Sequence, residues 1–388
     1  MTDPKSLSEL EVRFDGEAVA TLTRTTRGCT FRYHDAFLAS DREPIALHLP
    51  KLRSGVDTVG VANLPPYFAN LLPEGIMQDA ILASARLSRD DLFSQLALTA
   101  FDAIGDVTVA VPGLDRSDAV RTPREAVRRL REVLNGQVKG SFSTFSGVQP
   151  KISVGEAVAS LRGQTAIIKL EPPAFPGLVE NELYFNRLAG RVGLAVPHME
   201  RVDGALMTQR FDRQKTKGRQ PRQVHVEDAL QVLDLYPMAK YSLDYLEILD
   251  IPKQLGASKS VVLALLRLYV FAHLIGNGDL HAKNVSFVYD RSSRSWSLSP
   301  LYDLVCTLPF FEHDAYGRNM ALGLDEQFGN FSRADFVAIA ERYGIPEAPL
   351  ARSLDQMIQT IPVFLSENPA PVGGAIVAEI ESRCRALA

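Results

Sequence analysis

The sequence predicts an α+β chain folded in two lobes, a mixed α/β front and an all-helical back. Three observations predict it. Apolar residues alternate with polar ones in the first forty residues, and strand-like runs recur as far as Phe211. From His225 onward almost every apolar run has helical spacing, through to GAIVAEIESRCRALA at the end. A chain of 388 residues is also too long for one small core, and a mixed front followed by a helical back segregates the two kinds of element.

The elements follow in order. Leu10, Val12 and Phe14 alternate with polar neighbours, Asp15-Gly16 supplies a hairpin turn, and Cys29 to Tyr33 alternates again, so a small sheet opens the chain. Beyond Pro65-Pro66 the pattern turns helical, and Ser88 followed by Asp91 resembles a capping box for a helix over Leu92 to Phe101. Thr122-Pro123-Arg124-Glu125 combines an N-cap, a proline at the first helical position and an acid three residues on, and this helix should close near Asn135-Gly136. Its arginines, Arg124, Arg128, Arg129 and Arg131, read as a solvated face. GQVKGSFSTFSGVQPKISV and TAIIKL read as loop, strand, loop, strand; Glu180 to Gly190 is helical; GALMTQRF, Gly204 to Phe211, is a further strand. Arg213 to Arg222 reads as an exposed loop between lobes.

Composition excludes several classes. The chain is 46% hydrophobic and 23% charged, the balance of a folded protein. A formal net charge of -4 argues against binding nucleic acid alone, which needs a concentrated basic surface. Cys29, Cys306 and Cys384 fit neither a disulfide framework nor zinc spacing, so a reducing cytoplasm is expected. The start MTDPKSLSEL has no basic segment followed by an apolar one, and no secretory leader is expected. Val261 to Ile275, interrupted by Arg267 and His273, falls short of the roughly 20 residues that span a bilayer and reads as a buried core helix.

The strongest chemical signal is Gly276-Asn-Gly-Asp279-Leu-His-Ala-Lys-Asn284, directly after that helix. Phosphoryl transfer to a hydroxyl needs a carboxylate to orient the nucleophile and take its proton, and a side-chain oxygen nearby to hold Mg²⁺. Asp279 and Asn284 supply both from one loop, at the spacing of kinase catalytic loops. Such a pair can also merely cap a turn, but the preceding glycines and the strand VSFVY behind it favour the chemical reading. Nineteen residues on, Leu298-Ser-Pro-Leu-Tyr-Asp303-Leu-Val reads as a short apolar strand broken by one acid, placed where a second Mg²⁺ ligand is needed.

Upstream, Lys169 ends an apolar strand and suits an ammonium reaching nucleotide phosphates, although strand-end lysines commonly snorkel to the surface. Glu182 is placed to pair with it, preferred to Glu180 because it shares a helix face with Phe185 and Ala189. Ser146-Gly147-Val148-Gln149-Pro150-Lys151 stands where a phosphate-covering loop belongs, with one glycine; alone it reads as a hairpin connection. His225 and His281 stand near acids but neither offers three ligands at a recognised spacing, so both read as structural hydrogen-bonding groups.

Together these residues resemble the HipA family of serine/threonine kinases, toxins of bacterial toxin–antitoxin modules. FSGVQPKIS, TAIIKL, QRFDR with HVEDALQVL behind it, and HLIGNGDLHAKN with LSPLYDLV carry the likeness in order, and NLPPYFANLLPEGIMQDAI looks like the family's extra amino-terminal subdomain. The resemblance implies a bilobal protein-kinase-like fold, divided as 1–115 (amino-terminal subdomain), 116–224 (nucleotide-binding part of the front lobe) and 225–388 (helical catalytic lobe). It implies ATP and Mg²⁺ as cofactors, with Ser146 to Lys151 covering the phosphates, Lys169 contacting them, and the backbone of Gln209, Arg210 and Phe211 holding adenine. Asp279 would be the base and Asn284 and Asp303 the metal ligands, with His281 and Lys283 of the same loop counted among the nucleotide-binding residues. The family often phosphorylates itself on a serine three residues before the loop glycine; that place is Thr144 here, with Ser143 and Ser146 beside it. Gln209 stands where many relatives have Glu, which a backbone reading of adenine tolerates. The implied partners are a cytosolic protein substrate, aminoacyl-tRNA synthetases being known family targets, and a DNA-binding antitoxin of the HipB type.

Two other readings compete. Aminoglycoside and choline kinases use a similar Gly-Asp-x4-Asn loop, and a catalytically weak corepressor acting with a DNA-binding antitoxin belongs to another class altogether. The SGVQPK loop and long front subdomain argue against the first, the intact Lys169, Asp279, Asn284 and Asp303 set against pure silence in the second.

Overall fold

A computed structural model describes residues 3–59, 64–113, 122–135, 165–214, 222–311 and 318–388, together with the backbone of 151–154. The chain is mixed α/β and forms two compact units, Met1–Pro172 with Glu200–Pro237, and Pro173–Met199 with Met238–Ala388.

The first unit opens with an antiparallel sheet of β1 (Glu9–Phe14), β2 (Glu17–Arg24), β3 (Gly28–Tyr33), β4 (Val56–Val59) and β5 (Val107–Ala110), in the order β4-β3-β2-β1-β5. Leu10, Val12 and Phe14 all point into the core, as the alternation requires. Asp15 and Gly16 both take positive φ, 51° and 81°, the backbone of a two-residue hairpin turn whose twist matches the strands. Phe31, Phe68 and Phe93 fill the space between this sheet and its helices. The helix bearing Phe93 runs Leu92–Thr99 and is capped by Asp91, which accepts from Ser94 N at 3.1 Å, and not by Ser88. Ser88 Oγ instead takes Asp90 N within its own turn.

A second sheet, β6 (Lys151–Val154), β7 (Ala166–Lys169), β8 (Met199–Val202) and β9 (Ala205–Gln209), has the order β6-β7-β9-β8. Its Ala166, Ile168, Ala205 and Met207 pack with Ala126, Val127 and Leu130 of the helix Pro123–Leu134. That helix starts where the sequence places it, with Thr122 Oγ1 accepting from Glu125 N and proline at the first helical position. Its arginines stay at the surface in part through local pairs, Arg128 with Glu132 and Arg124 with Asp203 of the β8–β9 turn. The ribbon β10 (Arg213–Gln214) and β11 (Arg222–Gln223) and the strand β12 (His225–Asp228) complete the described part of this unit.

The second unit is built on the helices Leu178–Arg191, Tyr245–Gln254, Lys259–Ile275, Arg333–Arg342, Glu347–Glu367 and Gly374–Ala386. It departs from the expected all-helical lobe: β13 (Ser286–Asp290) and β14 (Ser295–Leu298) form an antiparallel hairpin. The stretch after Leu298, expected as a strand, has no regular structure up to Thr307. The reason is tertiary, since Leu301 N is bonded to Ala195 O and Cys306 N to Asn181 Oδ1, not to a neighbouring strand. Those bonds tie 173–199, expected with the nucleotide-binding part, to this unit; 225–237, expected with the helical lobe, falls in the first. Arg213 is a further correction: it is buried in β10 and not in an exposed loop, because its guanidinium is spent on carboxylates. Among the described residues no helix is long and apolar enough to cross a membrane.

Candidate active site

The predicted catalytic loop begins at the end of the helix Lys259–Ile275, whose apolar residues bury Leu265, Leu266, Tyr269, Val270 and Phe271 on nearly every side. Burial of this kind reads in sequence as an apolar run with few breaks, here only Arg267 and His273 between Val261 and Ile275, which is why the stretch is expected as a core helix. Gly276 terminates it with φ of 70°, in the left-handed conformation that returns N–H groups to Ala272 O and His273 O. Glycine is required there twice over, since a Cβ would lie 2.5 Å from Leu308 Cδ1. His273, in the last turn, is pushed down to about 4 by burial and by the Arg383 guanidinium, which also donates to its carbonyl at 2.7 Å.

Beyond Gly276 the loop is tied down residue by residue. Gly276 O accepts from Thr307 N and Thr307 Oγ1, and Thr307 Oγ1 accepts from Gly278 N at 2.8 Å. The buried Asn277 accepts from Asp279 N at 3.0 Å, which turns the chain so that Asp279 reaches solvent. Asp279 Oδ1 in turn accepts from the Tyr241 hydroxyl at 2.7 Å. His281 N donates to Asn284 Oδ1 and Asn284 N to His281 O, a reciprocal cap that closes the short turn Ala282–Asn284. Lys283 O accepts from the Tyr302 hydroxyl, which also meets Ser286 Oγ at 2.6 Å.

Two of the predicted ligands meet directly. Asn284 Nδ2 donates to Asp303 Oδ2 at 3.2 Å, across nineteen residues of chain. Asp303 holds a φ of 54°, a left-handed conformation uncommon outside glycine and tolerated best by Asp and Asn. Its carbonyl accepts from Asn277 Nδ2, so the same asparagine that turns Asp279 outward also restrains the Asp303 backbone. A carboxylate beside an amide is a hard-oxygen set of the kind Mg²⁺ takes together with phosphate oxygens. Asn284 offers its nitrogen to Asp303 while its oxygen accepts from His281 N, which leaves a second lone pair of that oxygen for a metal. Among the described residues no three His, Cys, Asp or Glu come together as a metal cluster.

Glu182 is 1% exposed on the helix Leu178–Arg191, on one buried face with Phe185 and Ala189, as its spacing indicates. Asn181 beside it clamps the segment after Asp303, donating to Cys306 O at 2.9 Å and accepting from Cys306 N at 2.8 Å. The helix carrying Glu182 and the segment carrying Asp303 are thereby held in register.

Lys169 lies in the first unit, at the end of β7 and only 3% exposed. Ala166 and Ile168 face the helix-covered core, so by alternation Lys169 and Ile167 belong to the opposite face, with Lys169 paired to Leu206 of β9 and to Lys151 of β6. A buried strand-end lysine is not the snorkelling surface residue that composition alone suggests. At the end of β9, Arg210 N is bonded to Thr165 O at 3.0 Å, so of the Gln209–Phe211 backbone groups this amide is engaged in the sheet. The Arg210 side chain is wholly buried and donates to Asp212 through Nε (2.9 Å) and Nη2 (2.6 Å) and to Asp102 through Nη1 (2.8 Å). Arg213 meets the same two acids, at 2.6 Å and 3.0 Å. Burial raises the Asp212 carboxyl, but Arg210 and Arg213 outweigh it and hold the group down to about 2. QRFDR thus anchors the end of β9 to the Asp102–Gly105 turn of the amino-terminal sheet region, a structural role that its sequence did not reveal.

His225 is likewise structural. Its Nδ1 and Nε2 lie 2.8 Å from Asp106 Oδ1 and 2.9 Å from Glu227 Oε1, and although burial lowers its pKa, the two acids raise it to about 9. His281 is buried, edge-on to the Tyr241 ring. Ser143, Thr144 and Ser146 to Pro150 lie outside the described residues, as do the side chain of Lys151 and any contact it makes. Sequence reasoning missed Tyr241, Asn277, Asn181 and Thr307. Of these only Asn277, inside the Gly-Asn-Gly-Asp run, carried a turn signal.

The HipA N-terminal domain matches residues 10–110 and the HipA-like C-terminal domain residues 143–363. The protein named "Putative kinase Y4dM" of Sinorhizobium fredii is 32% identical over 357 residues, covering 85% of this chain and 82% of its own. The serine/threonine-protein kinase toxin HipA of Shewanella oneidensis is 26% identical, over 80% of this chain and 79% of that one. A solved Shewanella oneidensis complex of HipA, HipB and operator DNA superposes with a TM-score of 0.75 at 21% identity, over 97% of both chains. The chain belongs to the HipA family.

Proposed function

We propose that this protein is an ATP- and Mg²⁺-dependent serine/threonine protein kinase, its two units being the lobes of a protein-kinase-like fold. The observation that carries the reading is the contact of Asn284 with Asp303, made on the same loop that presents Asp279 to solvent. Bound Mg²⁺ would neutralise the β- and γ-phosphates and orient them. Asn284 and Asp303 are the residues to hold it, the Lys169 ammonium is a counter-charge for the triphosphate, and Glu182 is the acid to keep that ammonium in place. Asp279 accepts the proton of the acceptor hydroxyl as it attacks. Adenine is held by the backbone around Gln209 and Phe211, without the Arg210 amide, and Ser146 to Lys151 cover the phosphates.

The acceptor is a hydroxyl of a cytosolic protein, with an aminoacyl-tRNA synthetase as the first target to try, and the partner is a DNA-binding antitoxin of the HipB type. Relatives named as a kinase and as a kinase toxin, and a structural neighbour solved with HipB and operator DNA, support this reading. Self-phosphorylation on Thr144, or on Ser146 or Ser143, would place a charge of about -1.5 to -2 in the phosphate-covering loop and switch the enzyme off. The test is transfer from γ-labelled ATP with added Mg²⁺. Asp303→Ala should weaken Mg²⁺-dependent nucleotide binding, and Asp279→Asn should lower turnover by about 10²- to 10⁴-fold while nucleotide still binds. Near-normal transfer by both variants would refute the assignment.

A further inference from the structure

We infer that Tyr241 is a positioning residue for the base: its hydroxyl holds one oxygen of Asp279 and leaves the other to receive the acceptor's proton. This rests on the reading of Asp279 as the base, and deepens it.

Asp279 is exposed, so packing does not select its side-chain rotamer. Its backbone is fixed through Asn277, which sets where the side chain starts but not where the carboxylate points. The Tyr241 hydroxyl supplies that restraint at 2.7 Å from Oδ1, in the short range of a hydroxyl donating to a carboxylate. A carboxylate offers about four acceptor positions, so one such bond leaves Oδ2 able to accept from a substrate.

Tyr241 is itself aimed by its surroundings. It is the last residue of the 3₁₀ turn Pro237–Tyr241, which Ser242 N closes onto Ala239 O. Just beyond, Asp244 caps the next helix through Leu246 N and also accepts from Asp325 N and Glu326 N, so the end of the turn cannot swing freely. The His281 ring stands edge-on to the phenol, centroids 5.1 Å apart, and the Lys240 ammonium lies 5.2 Å from its centre. Yet the residue is 48% exposed. A tyrosine retained for packing buries its ring, whereas this one stays half in solvent and spends its hydroxyl on the base.

In the transfer, the acceptor oxygen bonds to the γ-phosphorus, the bond from that phosphorus to the β-bridging oxygen breaks, ADP departs, and the acceptor's proton passes to Asp279 Oδ2. Tyr241 keeps its proton throughout. Its contribution is orientation, where a misplacement of about 1 Å costs up to 10²-fold in rate.

The experiment follows transfer from γ-labelled Mg²⁺-ATP into the protein itself and into myelin basic protein, for the full chain and for Tyr241→Phe, Asp279→Asn and the double variant, at enzyme concentrations high enough to read slow rates. Tyr241→Phe should lower kcat by about 10-fold with KM for ATP within about twofold and an unchanged melting temperature. In the Asp279→Asn background the same change should cost less than about twofold, because the group it acts through has gone. A single variant that keeps more than half the wild-type rate, or an equal loss in both backgrounds, overturns the inference. If wild type transfers no phosphate, or Asp279→Asn alone is as fast as wild type, the reading of the base falls, and this inference falls with it.

Discussion

Asp212→Ala tests what holds the end of β9 in place. The carboxylate is fully buried and accepts from Arg210 Nε and Nη2, Arg213 Nη1 and Gly105 N, all between 2.6 and 2.9 Å. Removing it leaves two buried guanidinium groups sharing Asp102, which is about a third exposed, and strips the Gly105 amide of this acceptor. The guanidiniums keep the Ala103 carbonyl, and Arg213 keeps Gly105 O at 2.7 Å, so the loss is far from the full cost of isolating two charges. Breaking a buried ion pair by removing one partner costs about 3–5 kcal/mol. For a unit of this size, roughly 2–4 °C per kcal/mol, the melting transition should fall by roughly 6–20 °C. Differential scanning calorimetry reads it, and amide exchange should quicken at 102–106 and 209–213 before elsewhere. The double variant Arg210→Met/Asp212→Leu should lose less than Asp212→Ala, because it removes a buried charge along with its partner. A loss below about 1 kcal/mol for Asp212→Ala would refute the claim that this cluster fixes the strand end.

Three further outcomes follow from the same geometry. His225 is raised from 6.5 to about 9, so the folded state holds a proton that the unfolded chain releases first; its stabilisation, about 3 kcal/mol at most, is complete below pH 6.5 and lost as pH climbs to about 9. Urea titrations at pH 6 and pH 9 should differ by that sense and order, and Asp106→Asn should flatten the difference. Gly276→Ala should destabilise the second unit by about 2–4 kcal/mol through left-handed strain and the clash with Leu308, with Leu308→Ala relieving only the clash, as denaturant midpoints would reveal. Expression of the chain alone should arrest bacterial growth, and Asp279→Asn should lift the arrest; equal arrest by both would separate the effect from phosphotransfer.

The parts of the molecule legible in sequence were those where a local rule and the global fold agree. Asp15-Gly16 is a turn because two positive φ values are needed between strands, and Thr122 is a cap because an oxygen is needed three residues before an amide; neither requires knowledge of the rest of the chain. That Asp279 and Asn284 share one loop was legible for the same reason, since they are five residues apart in sequence. Asp303 was singled out only by its distance from that loop, and its surroundings were misjudged: the apolar run around it looks like a strand, but Leu301 and Cys306 bond to Ala195 and Asn181, partners more than a hundred residues away that no local pattern records. The same limit hid Tyr241, whose value lies in one hydroxyl reaching across 38 residues to Asp279. It also hid the role of QRFDR. Charged residues in sequence are presumed wet, and Arg210 and Arg213 are dry only because Asp102 and Asp212 converge on them from two separate segments. What such a site needs from distant chain is a partner for a polar group, and polar partners leave no periodicity behind them. A hydrophobic core announces itself by spacing; the groups that hold a carboxylate or fix a strand end have to be found in space.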